Sequence, residues 1–118
     1  MREDGKAAPR CPFCGVDLKR PAEMTFADGE KGPGGTCSCG AVYLADPTGK
    51  NVGTMMAQAL NMISDQLRKG VGELIPDEDY QEVILSYDWR MHRSAGVSQG
   101  YMDGYGRLYI FKVLKQPR

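Results

Sequence analysis

Four cysteines in two closely spaced pairs constrain the fold of this chain more than any other feature. Cys11 and Cys14 lie in the run CPFCG, Cys37 and Cys39 lie in the run CSCG, and 22 mostly polar residues separate the two pairs. Four thiolates can surround one Zn²⁺ at about 2.3 Å when two short knuckles face each other. The spacing therefore predicts one structural zinc ion per chain, with all four thiolates as its ligands.

The two pairs differ in spacing. In the first pair, Pro12 fixes φ and Gly15 tolerates a positive φ, so the run suits a tight turn that brings two sulfurs onto one ion. In the second pair only Ser38 separates the cysteines, which is a shorter bite than the usual two to four residues. Gly40 follows this pair as Gly15 follows the first. The sequence thus predicts two knuckles and leaves the geometry of the second one open.

Thiol redox chemistry is the alternative use of the CPFC run. In thioredoxin-like proteins such a dithiol follows a strand and begins a helix. Here a polar segment with Gly and Pro precedes the motif, and Pro21 interrupts the segment that follows it. This context favours a metal site, with disulfides or thiol redox as the alternative.

Composition bounds the partners and the compartment. The chain carries 15 Lys+Arg against 15 Asp+Glu, and residues 1–50 and 51–118 are each neutral as well, so no broad positive field points to nucleic acid. The start MREDGKAAPR lacks the apolar run of a secretory signal, and the chain has no apolar run long enough to span a membrane. We therefore expect a cytoplasmic protein without a membrane partner, in a reducing compartment that favours a metal site over disulfides.

The run DPTGKN (46–51) contains Gly-Lys but does not match a phosphate-binding loop. Leu44 and Asn51 stand where that motif requires Gly and Ser or Thr. Asp46, Pro47 and Gly49 instead suit a turn. No nucleotide is therefore expected as a ligand.

Hydrophobic periodicity predicts an α+β fold, in which an N-terminal ribbon of short β-hairpins packs with two α-helices and a C-terminal strand. Residues 1–10 are expected to form a flexible tail, 11–45 the ribbon, and 46–118 a helical part with the last strand, in one compact unit with the ribbon. Within the ribbon, the run DGEKGPGG (28–35) contains many helix breakers and is predicted to be a polar turn.

Two segments have helical periodicity. The first begins after an N-cap at Thr54 and stops at Gly70, with an apolar stripe of Val52, Met56, Ala59, Leu60, Ile63 and Leu67. The second begins with the acids of residues 77–79, which the helix dipole favours, and its stripe is Tyr80, Val83, Ile84 and Tyr87. The second segment also alternates as a strand would, at Val83, Leu85, Tyr87 and Trp89. We predict the helix and keep the strand as the alternative.

Residues 107–114 are rich in Tyr, Ile, Phe and Val, which predicts a strand after a loop that turns at Asp103-Gly104. Leu108, Ile110 and Lys112 should face one way. Tyr109, Phe111 and Val113 should face the other. Because both sides are apolar, we expect a helix to cover one side and ribbon residues to cover the other.

The runs CPFCG and CSCG, over residues 11–45, resemble the zinc-ribbon superfamily. This resemblance implies two knuckles on short hairpins around one zinc, and it does not choose among roles in transcription, translation, enzymes or adaptors. The runs CGAVYLADPTGKNVG, DYQEVILSYDWRMHR and GRLYIFKV are also similar to small bacterial zinc-ribbon proteins of no assigned function. That second resemblance implies an order of elements and no activity.

The leading functional prediction is a structural zinc-binding protein that acts as an interaction or adaptor module and is not an enzyme. Four thiolates close the metal site, so no position is open for a catalytic water. The expected partner is another protein or a second copy of the chain. The candidate contact residues are Met-rich or aromatic: Met55, Met62, Tyr101 and Tyr105.

Two alternatives come from other classes of function. A nucleic-acid-binding ribbon would pair basic residues with stacking aromatic rings, namely Lys19, Arg20 and Lys31 with Phe13, Phe26 and Tyr43. A small enzyme would use a cluster of titratable and cationic side chains at Asp88, Arg90, His92 and Arg93. Balanced charge counts against the first, and a lone histidine with one carboxylate is more typical of a structural hydrogen bond than of catalysis.

Overall fold

The computed structural model describes residues 8–26, 29–46, 52–96 and 106–114. These ranges contain five strands and one α-helix: β1 (Ala22–Thr25), β2 (Lys31–Thr36), β3 (Val42–Asp46), α1 (Val52–Leu67), β4 (Tyr80–Tyr87) and β5 (Gly106–Val113). A 3-10 turn at Val71–Glu73 follows α1. The α+β class is confirmed, although these ranges hold one α-helix where two were predicted. The predicted turns at 46–51 and at Asp103-Gly104 lie largely or wholly outside the described residues.

All five strands form one antiparallel sheet in the order β1-β2-β3-β5-β4. The central strand β3 follows the second cysteine pair directly and hydrogen-bonds to β2 on one side and to β5 on the other. In this register Val42 lies opposite both Thr36 and Phe111. The strands of the cysteine-containing segment and the C-terminal strand therefore share one sheet.

The sheet is apolar on both faces, as the pattern of the last strand predicts. The face toward the cysteines, here called the knuckle face, includes Leu108 and Ile110 of β5 in one core cluster with Cys11. The opposite face, here called the helix face, includes Tyr109 and Phe111 of β5 in a second cluster with α1. The predicted cover of helix on one side and ribbon residues on the other is confirmed.

Helix α1 packs its predicted apolar stripe on the helix face. The described residues of the stripe are Met56, Ala59, Leu60, Ile63 and Leu67, and all belong to that cluster. Met55 and Met62 also pack against it, half-buried. Their primary role is therefore in the core, while Tyr101 and Tyr105 lie outside the described residues.

The predicted ends of α1 were wrong. The helix begins at Val52, so Thr54 lies inside it and is not the N-cap. It ends at Leu67, because Arg68 takes a left-handed conformation with φ of 57° and the Lys69 N–H bonds to the Ser64 carbonyl. Gly70 is extended and lies beyond the stop.

The predicted second helix is strand β4, which corrects that prediction. Val83, Leu85 and Tyr87 lie on the knuckle face, whereas Tyr80 and Ile84 lie on the helix face. A strand buried on both faces has apolar residues at odd and even positions, and such a set can imitate a helical stripe. Pairing with β5 over all eight residues stabilises the strand.

The acids before β4 do not begin a helix either. Residues 77–79 form a turn in which Asp77 has φ of 69°. Asp79 is fully buried, and its carboxylate accepts bonds from the Lys69 ammonium at 2.9 and 3.0 Å and from the Ile75 N–H at 2.8 Å. An ion pair therefore connects the end of α1 to the start of β4.

The glycine-rich run after residue 30 is strand β2 and not a turn, which corrects a further prediction. A side chain at Gly35 would place its Cβ 2.5 Å from the hydroxyl oxygen of Tyr43, which is the residue opposite Gly35 in β3. The absence of a side chain thus lets the Tyr43 ring lie over β2, where its hydroxyl donates to the Lys19 carbonyl at 2.9 Å. Aromatic cover of this kind offsets the weak strand preference of glycine.

Candidate metal centre

The four cysteine sulfurs form one compact cluster. All four Sγ atoms lie within 4.8 Å of one another, with Cys11–Cys39 at 3.7 Å and Cys14–Cys37 at 3.4 Å. Thiolates at about 2.3 Å from a central ion form a tetrahedron with edges of about 3.8 Å. A disulfide would instead need about 2.05 Å between sulfurs. The cluster could bind one metal ion, which fits the predicted closed site.

Each knuckle is closed by the same pair of backbone bonds. In the first, the Cys11 N–H donates to the Val16 carbonyl and the Cys11 carbonyl accepts from the Gly15 N–H, both at 2.8 Å. In the second, Cys37 makes the same two bonds, from its N–H to Ala41 at 2.8 Å and to its carbonyl from Gly40 at 2.9 Å. The second loop is one residue shorter throughout, which accommodates the single residue between its cysteines.

A positive φ ends both turns. Gly15 has φ of 84° and Gly40 has φ of 98°, and side chains rarely tolerate this conformation. This is why glycine follows each cysteine pair in the sequence. The two knuckles therefore resemble each other in backbone geometry as well as in amino-acid sequence.

The environments of the sulfurs differ. Burial raises the pKa of the Cys11 thiol to about 12. The Cys39 N–H donates to the Cys37 sulfur and lowers the pKa of that thiol to about 7. Each thiol must lose its proton to bind a metal ion, because the thiolate is the ligand. The positive charge of the ion would offset the free-energy cost of a buried thiolate.

The core of the protein supports the cluster directly. Cys11 is 1% exposed and packs on the knuckle face, with Cys37, Cys39 and Phe13 half-buried beside it. Lys112 of β5 donates from Nζ to the Cys39 carbonyl at 2.5 Å. Alternation along β5 puts Lys112 on the same face as Leu108 and Ile110. The sequence pattern therefore indicates that Lys112 faces the knuckles.

Residues before the first knuckle also hold it in place. The Pro9 carbonyl accepts from the Leu18 N–H at 2.9 Å, and Arg10 lies 3.3 Å from the carboxylate of Asp17. Pro9 is buried. The described part of the N-terminal segment therefore pairs with residues 17 and 18, which follow the knuckle.

The aromatic rings considered for nucleic-acid stacking are largely in the core. Phe26 is 5% exposed on the helix face and Tyr43 is 2% exposed on the knuckle face. Phe13 is half-buried, and the basic residues of that hypothesis are exposed: Lys19, Arg20 and Lys31. The three cations are therefore on the surface, whereas two of the three aromatic rings are buried and cannot stack on a base.

The residues considered for catalysis form a turn after β4. His92, with φ of 53°, bonds through Nδ1 to the Tyr87 hydroxyl at 2.7 Å and through Nε2 to the Leu18 carbonyl at 2.8 Å. Asp88 Oδ1 accepts from the backbone N–H groups of Arg90 and Met91. These contacts hold the turn against the first knuckle, a structural use that the lone histidine pattern favours.

No family model, no curated protein and no solved structure matches the chain. Within the described residues, none of the helical segments has the length and apolar character needed to cross a membrane.

Proposed function

We propose that the chain is a structural zinc-binding protein of the zinc-ribbon type that acts as an interaction or adaptor module. The observation that carries this proposal is the cluster of four sulfurs within 4.8 Å. Tetrahedral sites with four sulfur ligands suit Zn²⁺ or iron, and four protein ligands leave no open position for substrate. The ion would therefore stabilise the fold rather than perform chemistry.

The position of the cluster supports a structural role. It packs on the knuckle face, and its second knuckle leads directly into the central strand β3. Metal binding would thus fix the start of a strand that pairs on both sides. In a structural site of this kind, binding free energy is largely folding free energy.

The first test is the metal content of protein purified under reducing conditions. We expect one zinc per chain by elemental analysis, and loss of the ordered NMR signals of residues 11–45 after chelation. Cys37→Ser with Cys39→Ser should lose the metal, whereas Ser38→Ala, which changes the same loop without removing a sulfur, should retain it. Stoichiometric iron, no metal, or an unchanged spectrum after chelation would contradict the proposal.

The second test concerns the adaptor role. Affinity purification with the zinc-loaded chain should retain defined proteins, or sedimentation should show self-association, and both should be lost in the Cys37→Ser, Cys39→Ser variant. Micromolar binding to random RNA or DNA that weakens steeply with salt would instead favour the nucleic-acid alternative.

A further inference from the structure

A small pocket on the knuckle face joins two regions that are distant in sequence. Its volume is about 130 Å³, and its walls are Arg20, Pro21, Pro33, Ala45, Tyr87 and Trp89. Arg20 and Pro21 precede β1, Pro33 lies in β2 and Ala45 in β3. Tyr87 is the last residue of β4, and Trp89 lies in the turn after it. The pocket therefore exists only when the ribbon strands and β4 share the sheet.

Trp89 is an accessible wall of this pocket. It is 49% exposed, and its carbonyl accepts a bond from Nη1 of Arg20 at 2.6 Å. The guanidinium of Arg90 lies 5.5 Å from the centroid of the Trp89 ring. Met91 beside it is 59% exposed. The Arg20 bond fixes the backbone at Trp89 and Arg90 lies close to its ring, and both contacts reduce the conformational entropy that this residue would lose when a partner binds.

The mouth of the pocket is positively charged. Residues 19–21 and 87–93 carry four exposed cations, Lys19, Arg20, Arg90 and Arg93. Two acids lie beside them: Asp88, whose carboxylate accepts backbone bonds, and the exposed Glu23, which lies opposite the pocket residue Pro33 in the pairing of β1 with β2. In a chain without net charge, this local excess favours a partner with negative charge.

The size and lining of the pocket select the kind of group that enters it. A cavity of about 150 Å³ holds a benzene-sized group, whereas pockets for whole small molecules have about 300 Å³ or more. The walls are mostly prolines, alanine and aromatic rings, and the Tyr87 hydroxyl is bonded to His92. These walls suit one apolar side chain and offer little to the polar edges of a nucleobase.

We propose that this pocket binds a short acidic peptide segment of a partner protein. One aromatic or branched aliphatic side chain enters between Trp89 and the prolines, and flanking carboxylates contact Arg20 and Arg90. This inference rests on the proposed adaptor function and names the chemistry of its partner.

The test uses the full-length, zinc-loaded chain and fluorescein-labelled nine-residue peptides, followed by fluorescence polarisation. The central residue is Phe, Leu or Ala, and the flanks are Glu/Asp, Ser/Gly or Lys. Peptides with acidic flanks and a central Phe or Leu should bind at least about tenfold more tightly than those with Ala or with Lys flanks, as expected for an anchor residue. Raising the salt concentration should weaken binding, because the cations are exposed.

Variants connect any binding to the pocket. Trp89→Ala and Arg90→Glu should each weaken binding at least about tenfold. The matched controls are Ile75→Ala, which removes a side chain that is 46% exposed elsewhere, and Lys31→Glu, which reverses an exposed charge in β2. Both controls should bind as the wild type does. Zinc content and circular dichroism establish that every variant is folded.

Several results would overturn this inference. They are absence of binding by the whole peptide set, equal binding by Trp89→Ala, equal binding of central Ala, or displacement of the peptide by a twelve-residue oligo-dT or oligo-rU with higher affinity. If such a result comes from protein that holds one zinc, only the pocket inference fails. Protein without zinc would contradict the proposed function itself.

Discussion

The ammonium of Lys112 donates a hydrogen bond to the carbonyl oxygen of Cys39 at 2.5 Å, and so joins strand β5 to the second cysteine knuckle. These residues are 73 positions apart in the chain. The contact links the four-cysteine cluster to the C-terminal strand, and α1 packs on the other face of that strand. Metal binding and the packing of the second half of the chain should therefore be coupled.

Replacement of Lys112 by Met tests this coupling. The change retains most of the apolar side chain and leaves the Cys39 carbonyl without its donor, which should lower the free energy of unfolding by about 1–3 kcal/mol. We also expect weaker zinc binding in competition with a chromogenic chelator. Lys31→Met, at an exposed position in β2, is the control and should change neither value. Equal zinc affinity in both variants would show that β5 does not support the site.

Replacement of Gly35 by Ala tests the packing of β2 against β3. The new Cβ would lie 2.5 Å from the Tyr43 hydroxyl, so the ring or the strand must move. Overpacking of this kind should cost about 1–3 kcal/mol in urea unfolding. Gly53→Ala, in α1 with nothing within 4 Å of the added Cβ, should be neutral or slightly stabilising. A Gly35→Ala variant as stable as the wild type would contradict the close contact.

The ion pair between Lys69 and Asp79 should be visible in a double-mutant cycle. The Asp79 side chain is 0% exposed and that of Lys69 is 14% exposed, so removal of one partner leaves a charge in a poorly hydrated site. Asp79→Asn should destabilise by about 3–5 kcal/mol. Lys69→Met combined with the same Asp79→Asn should cost less than the sum of the two single changes. Strict additivity in chemical denaturation would show that the two charges do not interact.

Zinc affinity should fall steeply as the pH is lowered. A metal ion in this cluster would bind thiolates, and protons compete for the same sulfurs. Burial, which raises the pKa of Cys11 to about 12, keeps that residue protonated in the metal-free fold at neutral pH. Because the pKa of Cys37 is about 7, binding should release about three protons per ion near pH 8 and about four near pH 6. The apparent affinity should therefore change by about 10³-fold per pH unit near pH 8 and by up to about 10⁴-fold near pH 6. Chelator competition between pH 6 and 8 measures this slope, and a flat profile would contradict binding by four thiolates.

The sequence by itself predicted which four residues would cluster, and the sulfurs of those four cysteines lie within 4.8 Å of one another. Two short cysteine pairs with glycine after each define two knuckles, because local backbone geometry decides where closely spaced sulfurs point. The chain also determined that its last strand is apolar on both faces, since alternation along a strand is a local property. Even the contact of Lys112 with the knuckle side follows from that alternation.

Only the tertiary structure decided the nature of residues 80–87 and of the glycine-rich run in β2. Val83 and Tyr87 fit both a helical and an extended pattern, and pairing with β5 selects the strand. Gly35 has no local preference for a strand and takes that form because the Tyr43 ring covers it. The Arg20–Trp89 contact and its pocket likewise have no signal in the sequence, because they depend on strands brought together by hydrogen bonds between residues far apart in the chain.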